Sequence, residues 1–256
     1  MVVREFGKDN QKNLLFFPGS CEPWQAFAPA AKQLAKEFYV ILVTPDGHDP
    51  ENHTDFISIE NTVDDTVLWL KEHHIDHLNA LYGLSFGGGM ALRLLTTQNI
   101  AVDRAVIDAG TAPYEYPKWV CKLIGLRDFL MMKTGIASVT VMKAAFPPER
   151  FARDPENWKQ EYKNFRQFLK TFSNRTIWNI FWSANNYQVP EKAPEMNTAI
   201  QFWVGTEEWG SRFRDLKWYQ KYLPQMEVIR IPDMMHGEFS GMHPQKFAQK
   251  AIAFFQ

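Results

Sequence analysis

The sequence has no apolar stretch approaching the roughly 18 residues that a membrane-spanning helix needs. Its opening, Met1-Val2-Val3-Arg4-Glu5-Phe6-Gly7, lacks the long apolar core of a secretory signal. Together these absences lead to the expectation of a cytoplasmic protein without an integral membrane segment. Cysteine is scarce: Cys21 and Cys121 form no C-x-x-C pair and allow at most one disulfide, so two free thiols are expected. An excess of charge of one sign is also missing. A net charge of −1 excludes a chain that binds polyanions such as nucleic acids by bulk electrostatics. There is no G-K-[ST] and no G-x-G-x-x-G after the first strand, so the phosphate loops of nucleotide binders are absent. Internal repeats and low-complexity segments are missing too.

What remains is an ordinary globular composition, 45% hydrophobic and 22% charged over 256 residues, enough for one sizeable core. The first part alternates two periodicities. Short apolar runs at Asn13–Phe17, Tyr39–Val43, Asn79–Leu84 and Ala101–Ile107 read as buried strands. Between them, Ala26–Phe38, Ile59–His73 and Gly87–Thr97 carry helical spacing. A strand, helix, strand order of this kind predicts an α/β fold, a mostly parallel central sheet with helices on both faces. The same alternation returns with strands at Ala199–Val204 and Glu227–Ile231 and helices at Arg212–Tyr222 and Pro244–Phe255.

Residues 113–196 break the pattern. They show no clean strand and are dominated by helical stretches rich in Trp, Phe, Met and Lys, interrupted at Pro147-Pro148 and Pro190. The expected organisation is a core of residues 1–112 and 197–256 with a helical cap inserted at 113–196. The insertion holds 13 Lys or Arg against 8 Asp or Glu, so it is basic while the core is acidic. A solvated helical surface accounts for that charge. Attraction of an anionic substrate or a membrane surface is the sharper alternative. Most of the aromatic residues should form the insertion's own core. The dense run Trp178-Asn179-Ile180-Phe181-Trp182 also suggests an apolar surface facing a pocket.

One short motif carries chemistry. Gly83-Leu84-Ser85-Phe86-Gly87 fits G-x-S-x-G and lies between a predicted strand and a predicted helix. A sharp strand-to-helix turn lifts the serine out of the sheet. The glycines permit the turn and the close approach of neighbouring backbone, and the helix N-terminus aims free N–H groups at the site. Gly88 and Gly89 extend the run at some expense in helix stability. A glycine-rich turn with an incidental serine is the bland alternative, and the flanking pattern argues against it.

With this motif in this context the chain resembles the α/β-hydrolase superfamily over nearly its full length, with the insertion where that family often carries a cap. The resemblance implies Ser85 as nucleophile. It implies His236 as general base, in the loop Pro232-Asp233-Met234-Met235-His236-Gly237 after the last strand, with Gly237 keeping that loop slim. His243 is a reserve. For the acid, the family's position in Gly205-Thr206-Glu207-Glu208 falls on Glu208, with Glu207 and Asp108 as alternatives. A glutamate departs from the commoner aspartate but can still orient the imidazole. The oxyanion hole is expected from the backbone N–H groups of Phe86 and Ser20. Pro18-Gly19 stands where many relatives have His-Gly, a departure that leaves the N–H in place. Cys21 either lines the pocket or is a small buried thiol.

His73 and His77, four apart on a predicted helix, are a weak metal pair, and a polar helix end is the simpler reading. No metal or organic cofactor is implied. The activity expected is hydrolysis of a small or medium apolar carboxylic ester through an acyl-enzyme. A transacylase, thioesterase or peptidase on the same residues, a cofactor-free lyase and a non-catalytic ligand-binding protein stand as alternatives. The partner expected is a small acyl substrate.

Overall fold

A computed structural model describes residues 1–113 and 116–256. Seven strands form one sheet: β1 (Val2–Phe6), β2 (Asn13–Phe17), β3 (Tyr39–Thr44), β4 (His77–Leu84), β5 (Ala101–Asp108), β6 (Ala199–Gly205) and β7 (Glu227–Ile231). Their spatial order is β1-β3-β2-β4-β5-β6-β7, and every pairing is parallel except β1 with β3. The strand β1 was not anticipated. It is too short and too mixed in polarity for periodicity to find, and it exists through its register with β3, from Val2 opposite Thr44 to Phe6 opposite Val40.

Helices α1 (Trp24–Leu34), α2 (Ile59–Glu72) and α3 (Phe86–Thr97) connect the first parallel strands. Because a parallel sheet is covered on both faces, its central strands are apolar along most of their length. Leu15, Phe17, Ile41, Val43, Leu81 and Ile107 pack to one side with α2 and α3. Leu14, Phe16, Val40, Leu42, Tyr82 and Val106 pack to the other with α1. The sheet thus has two cores separated by one residue of register.

Among the described residues, five helices lie between β5 and β6: α4 (Lys118–Ala137), α5 (Val139–Ala145), α6 (Pro148–Phe151), α7 (Trp158–Leu169) and α8 (Asn174–Ala184). They have a core of their own, in which Ile136, Met142, Tyr162, Leu169, Phe172 and Ile177 are buried together. The chain then runs through α9 (Gly210–Tyr222), α10 (Glu238–Met242) and α11 (Pro244–Phe255), the last of which packs on α1.

One expected helix ends early. His77 does not lie four residues along a helix from His73. It opens β4, where its Nε2 stands 2.7 Å from Asp103 Oδ1 at a sheet end. The helical spacing that suggested a metal pair is therefore gone, and among the described residues no cluster of three or more candidate ligands occurs. Among them, too, no helix is long and apolar enough to cross a membrane. Both cysteines are free thiols.

Candidate active site

Ser85 sits between β4 and α3 with φ 54° and ψ −111°, a backbone region that side-chain-bearing residues rarely adopt. The turn is fixed from three sides. Its N–H donates to the Asp108 carbonyl at 2.7 Å, and its own carbonyl accepts from Gly88 at 2.9 Å and Thr111 at 3.0 Å. The glycines are explained by close approach. A Cβ on Gly87 would lie 2.3 Å from the Phe17 carbonyl oxygen, and one on Gly88 would lie 2.5 Å from the Cα of Gly110. The elbow is pressed against the ends of β2 and β5, and only glycine fits there.

His236 lies in the loop after β7, and its Nε2 is 2.8 Å from Ser85 Oγ. Gly237, which follows it, adopts φ +71°, and a Cβ there would meet nothing closer than Leu84 Cδ2 at 3.6 Å. The reason for glycine is therefore the left-handed backbone that starts α10, not the slim loop anticipated from the sequence.

Glu208 lies in the loop after β6, with a side chain 1% exposed, and its Oε1 is 3.0 Å from His236 Nδ1. The approach is oblique to the ring N–H, so the two are in contact without a well-aligned hydrogen bond. The same oxygen accepts the Trp209 N–H at 2.8 Å, which holds the carboxylate in place.

The two loops are also joined to each other. Thr206 N–H donates to the Ile231 carbonyl at 3.0 Å and Glu207 N–H to the Met234 carbonyl at 3.1 Å, while Asp233 N–H donates to Thr206 Oγ1 at 2.8 Å.

The other acids considered are turned elsewhere. The Asp108 carboxylate is buried and accepts the Tyr82 hydroxyl at 2.6 Å. Burial pushes it up to about 7; the Tyr82 hydrogen bond opposes that shift and the charge of Glu208 adds to it. Glu207 faces solvent and pairs with Arg150. His243 faces Glu238 at 3.8 Å. Of the acids proposed from the sequence, Glu208 is the one the fold brings to His236.

Ser20, expected from the sequence as an oxyanion donor, lies in the turn between β2 and α1, and Phe86, its expected companion, opens α3. Among the described residues neither N–H is bonded to another backbone carbonyl outside its own element. Cys21 beside them has φ 62° and packs between the sheet core and the core of the inserted helices. Burial pushes its thiol up to about 12, which keeps it protonated and unreactive.

Several neighbours were not visible in the sequence. Trp209 stacks on the His236 ring at 4.5 Å and 23°. Phe146, from the inserted segment, meets Trp209 edge-on at 6.0 Å. His48 stacks on Phe86 at 6.3 Å and 20° and meets Phe172 at 5.2 Å. The Glu22 carboxylate lies against Gly19, and burial pushes it up to about 7. Arg150 donates from Nε to Glu238 Oε1 at 3.1 Å and also engages Glu207 and the Asp233 carbonyl. No sequence signal marks these residues, and all but Glu22 have partners far along the chain. In the Trp178–Trp182 run, Ile180 is fully buried, while half-buried Trp178 lies against Trp182 and Phe129.

No curated protein sequence matches the chain. Solved structures do. An alpha/beta hydrolase family protein from Desulfitobacterium hafniense is 16% identical, with a TM-score of 0.74 and 100% of each chain covered. The enol-lactonase from Burkholderia xenovorans is 16% identical, with a TM-score of 0.73, 99% of this chain and 95% of that one. A structure from a study of Nitrososphaera gargenis carboxylesterases is 16% identical, with a TM-score of 0.73, 99% of this chain and 93% of that one. At these identities the likeness is one of fold. The model of the alpha/beta hydrolase family matches residues 14–250, nearly the whole sequence. The chain is therefore a hydrolase of the alpha/beta hydrolase family.

Proposed function

We propose that the protein is a serine esterase acting on small or medium apolar carboxylic esters. The reading rests on the 2.8 Å approach of His236 Nε2 to the oxygen of a serine held at the strained turn. In it, Ser85 Oγ attacks the ester carbonyl as its proton passes to His236 Nε2. Glu208, beside Nδ1, holds the ring's orientation and stabilises its cationic form. The N–H groups of Ser20 and Phe86 receive the developing oxyanion. The C–O bond to the leaving group breaks, and His236 returns the proton to the departing alkoxide. Water then attacks the acyl-enzyme, with His236 again taking a proton, and the carboxylic acid leaves with Ser85 restored.

In the same reading residues 113–196 form a cap over the core. Phe146 and Trp209, in contact beside His236, give an apolar surface suited to an acyl or alcohol group.

The test is hydrolysis of nitrophenyl esters of increasing acyl length by the parent and by Ser85→Ala. Turnover in the parent and its loss in the variant is the expected result. Failure of the parent to hydrolyse any ester, together with no labelling of Ser85 by a fluorophosphonate, overturns the reading in favour of a ligand-binding role.

A further inference from the structure

Helix α4 is apolar on two opposite faces. One face is occupied: Cys121, Gly125 and Ile136 are buried, and Phe129 and Met132 pack into the core of the inserted helices. The other is bare. Trp119, Leu123, Leu126 and Leu130 are 67%, 58%, 45% and 56% exposed. Their spacing of four, three and four residues places them in one stripe along the helix. Leu123, Leu126, Leu130 and Ala137 line a shallow groove in the same surface. A contiguous exposed apolar stripe points to an interaction surface.

Charge selects the occupant. Lys122 and Lys133 flank the stripe on one side and Arg127 on the other, with Lys118 at the start of the helix. The helix carries one acid, Asp128, which is turned towards Arg127 at 2.7 Å. A second copy of the same face would set cations against cations. An apolar stripe edged by cations on long aliphatic arms, with a tryptophan at one end, matches instead the boundary between lipid tails and anionic headgroups. The inserted segment as a whole is basic, 13 Lys or Arg against 8 Asp or Glu, in a chain of net charge −1.

We propose that the outer face of α4 docks the protein on an anionic lipid bilayer. Trp119, Leu123, Leu126 and Leu130 enter the headgroup boundary, and Lys118, Lys122, Arg127 and Lys133 meet lipid phosphates. The helix lies in the plane of the surface and does not span it. The inference is independent of the esterase reading, because no residue of the Ser85 site takes part.

The experiment is co-sedimentation of the full chain with vesicles of phosphatidylcholine alone and of phosphatidylcholine mixed with phosphatidylglycerol. Binding to the mixed vesicles, little binding to the neutral ones and release by salt are expected. The double variant Leu126→Gln/Leu130→Gln should lose binding while its circular dichroism and thermal unfolding stay at the parent level. Lys118→Gln/Lys122→Gln should weaken binding by about tenfold or more, each cation near such a surface being worth roughly fivefold. No sedimentation with the anionic vesicles overturns the proposal, as does binding that ignores lipid charge. A dimer in light scattering that Leu126→Gln/Leu130→Gln dissociates would assign the face to a second copy and would equally overturn it.

Discussion

Arg150 and Glu238 are joined by two contacts, Nε to Oε1 at 3.1 Å and an amino nitrogen to Oε2 at 2.6 Å, across 88 residues of chain. The same guanidinium reaches Glu207 and the Asp233 carbonyl. One side chain of the inserted segment therefore holds both the loop of His236 and the loop of Glu208. Arg150→Ala should lower stability by about 2 kcal/mol, or Tm by roughly 4–8 °C, because the buried Glu238 loses its cationic partner. It should also lower kcat more than it changes KM. Arg150→Lys should recover only part of this, since an ammonium cannot span the same acceptors in a planar fork. Thermal unfolding and ester kinetics on the three proteins check this.

The acid assignment separates by mutation. Glu208→Ala should lower kcat by about 10²–10⁴-fold by leaving the imidazole unoriented. Asp108→Asn should cost less than about tenfold in kcat, because that carboxyl is committed to Tyr82. Steady-state kinetics with one nitrophenyl ester suffice, and a larger loss in the Asp108 variant would reverse the assignment.

His48 gives a pH signature. Burial lowers it from 6.5 to about 4, so the folded protein keeps it neutral where the unfolded chain protonates it. The unfolded state binds more protons between those values, so this contribution is intact above about 6.5 and is lost as pH falls towards 4. The loss is at most about 3 kcal/mol, each pKa unit being worth about 1.4 kcal/mol. Comparing denaturant unfolding of the parent and His48→Phe on either side of that window should show a stability difference that grows in favour of the variant as pH drops. A difference independent of pH would refute it.

Gly87→Ala tests the elbow. The added methyl would lie 2.3 Å from the Phe17 carbonyl, where backbone has to move. A loss of about 3 kcal/mol or more, or failure to accumulate as soluble protein, is expected. Gly210→Ala is the control: it meets nothing within 4 Å and should be near neutral.

The parallel sheet was legible because β2 through β6 are largely buried and so appear as short apolar runs set apart from helical spacing. The place of Ser85 at a strand-to-helix turn was legible because its motif stood between two such elements, and that of His236 in the loop after the last strand was expected through the family resemblance. The choice among Glu207, Glu208 and Asp108 was not, since it depends on which way each side chain turns. Glu207 turns to Arg150, Asp108 to Tyr82 and Glu208 to the imidazole. Trp209 and Arg150 were invisible for the same reason: their meaning lies in contacts between distant segments. The strand β1 was missed because edge pairing, not hydrophobic pattern, defines it.

The loops of Glu208 and His236 are sewn together by backbone, with a Cβ on Gly205 clashing at 2.0 Å with the Met234 carbonyl. Whatever displaces one loop carries the other along, so the spacing of acid and base is stiff. The serine is braced separately, by the ends of β2 and β5. Arg150 ties the helices between β5 and β6 to the His236 side of the gap between His236 and Ser85. On the proposed reading, a movement of those helices would act as a throttle on turnover, changing the distance over which Ser85 and His236 exchange the proton while leaving the Glu208–His236 contact in place.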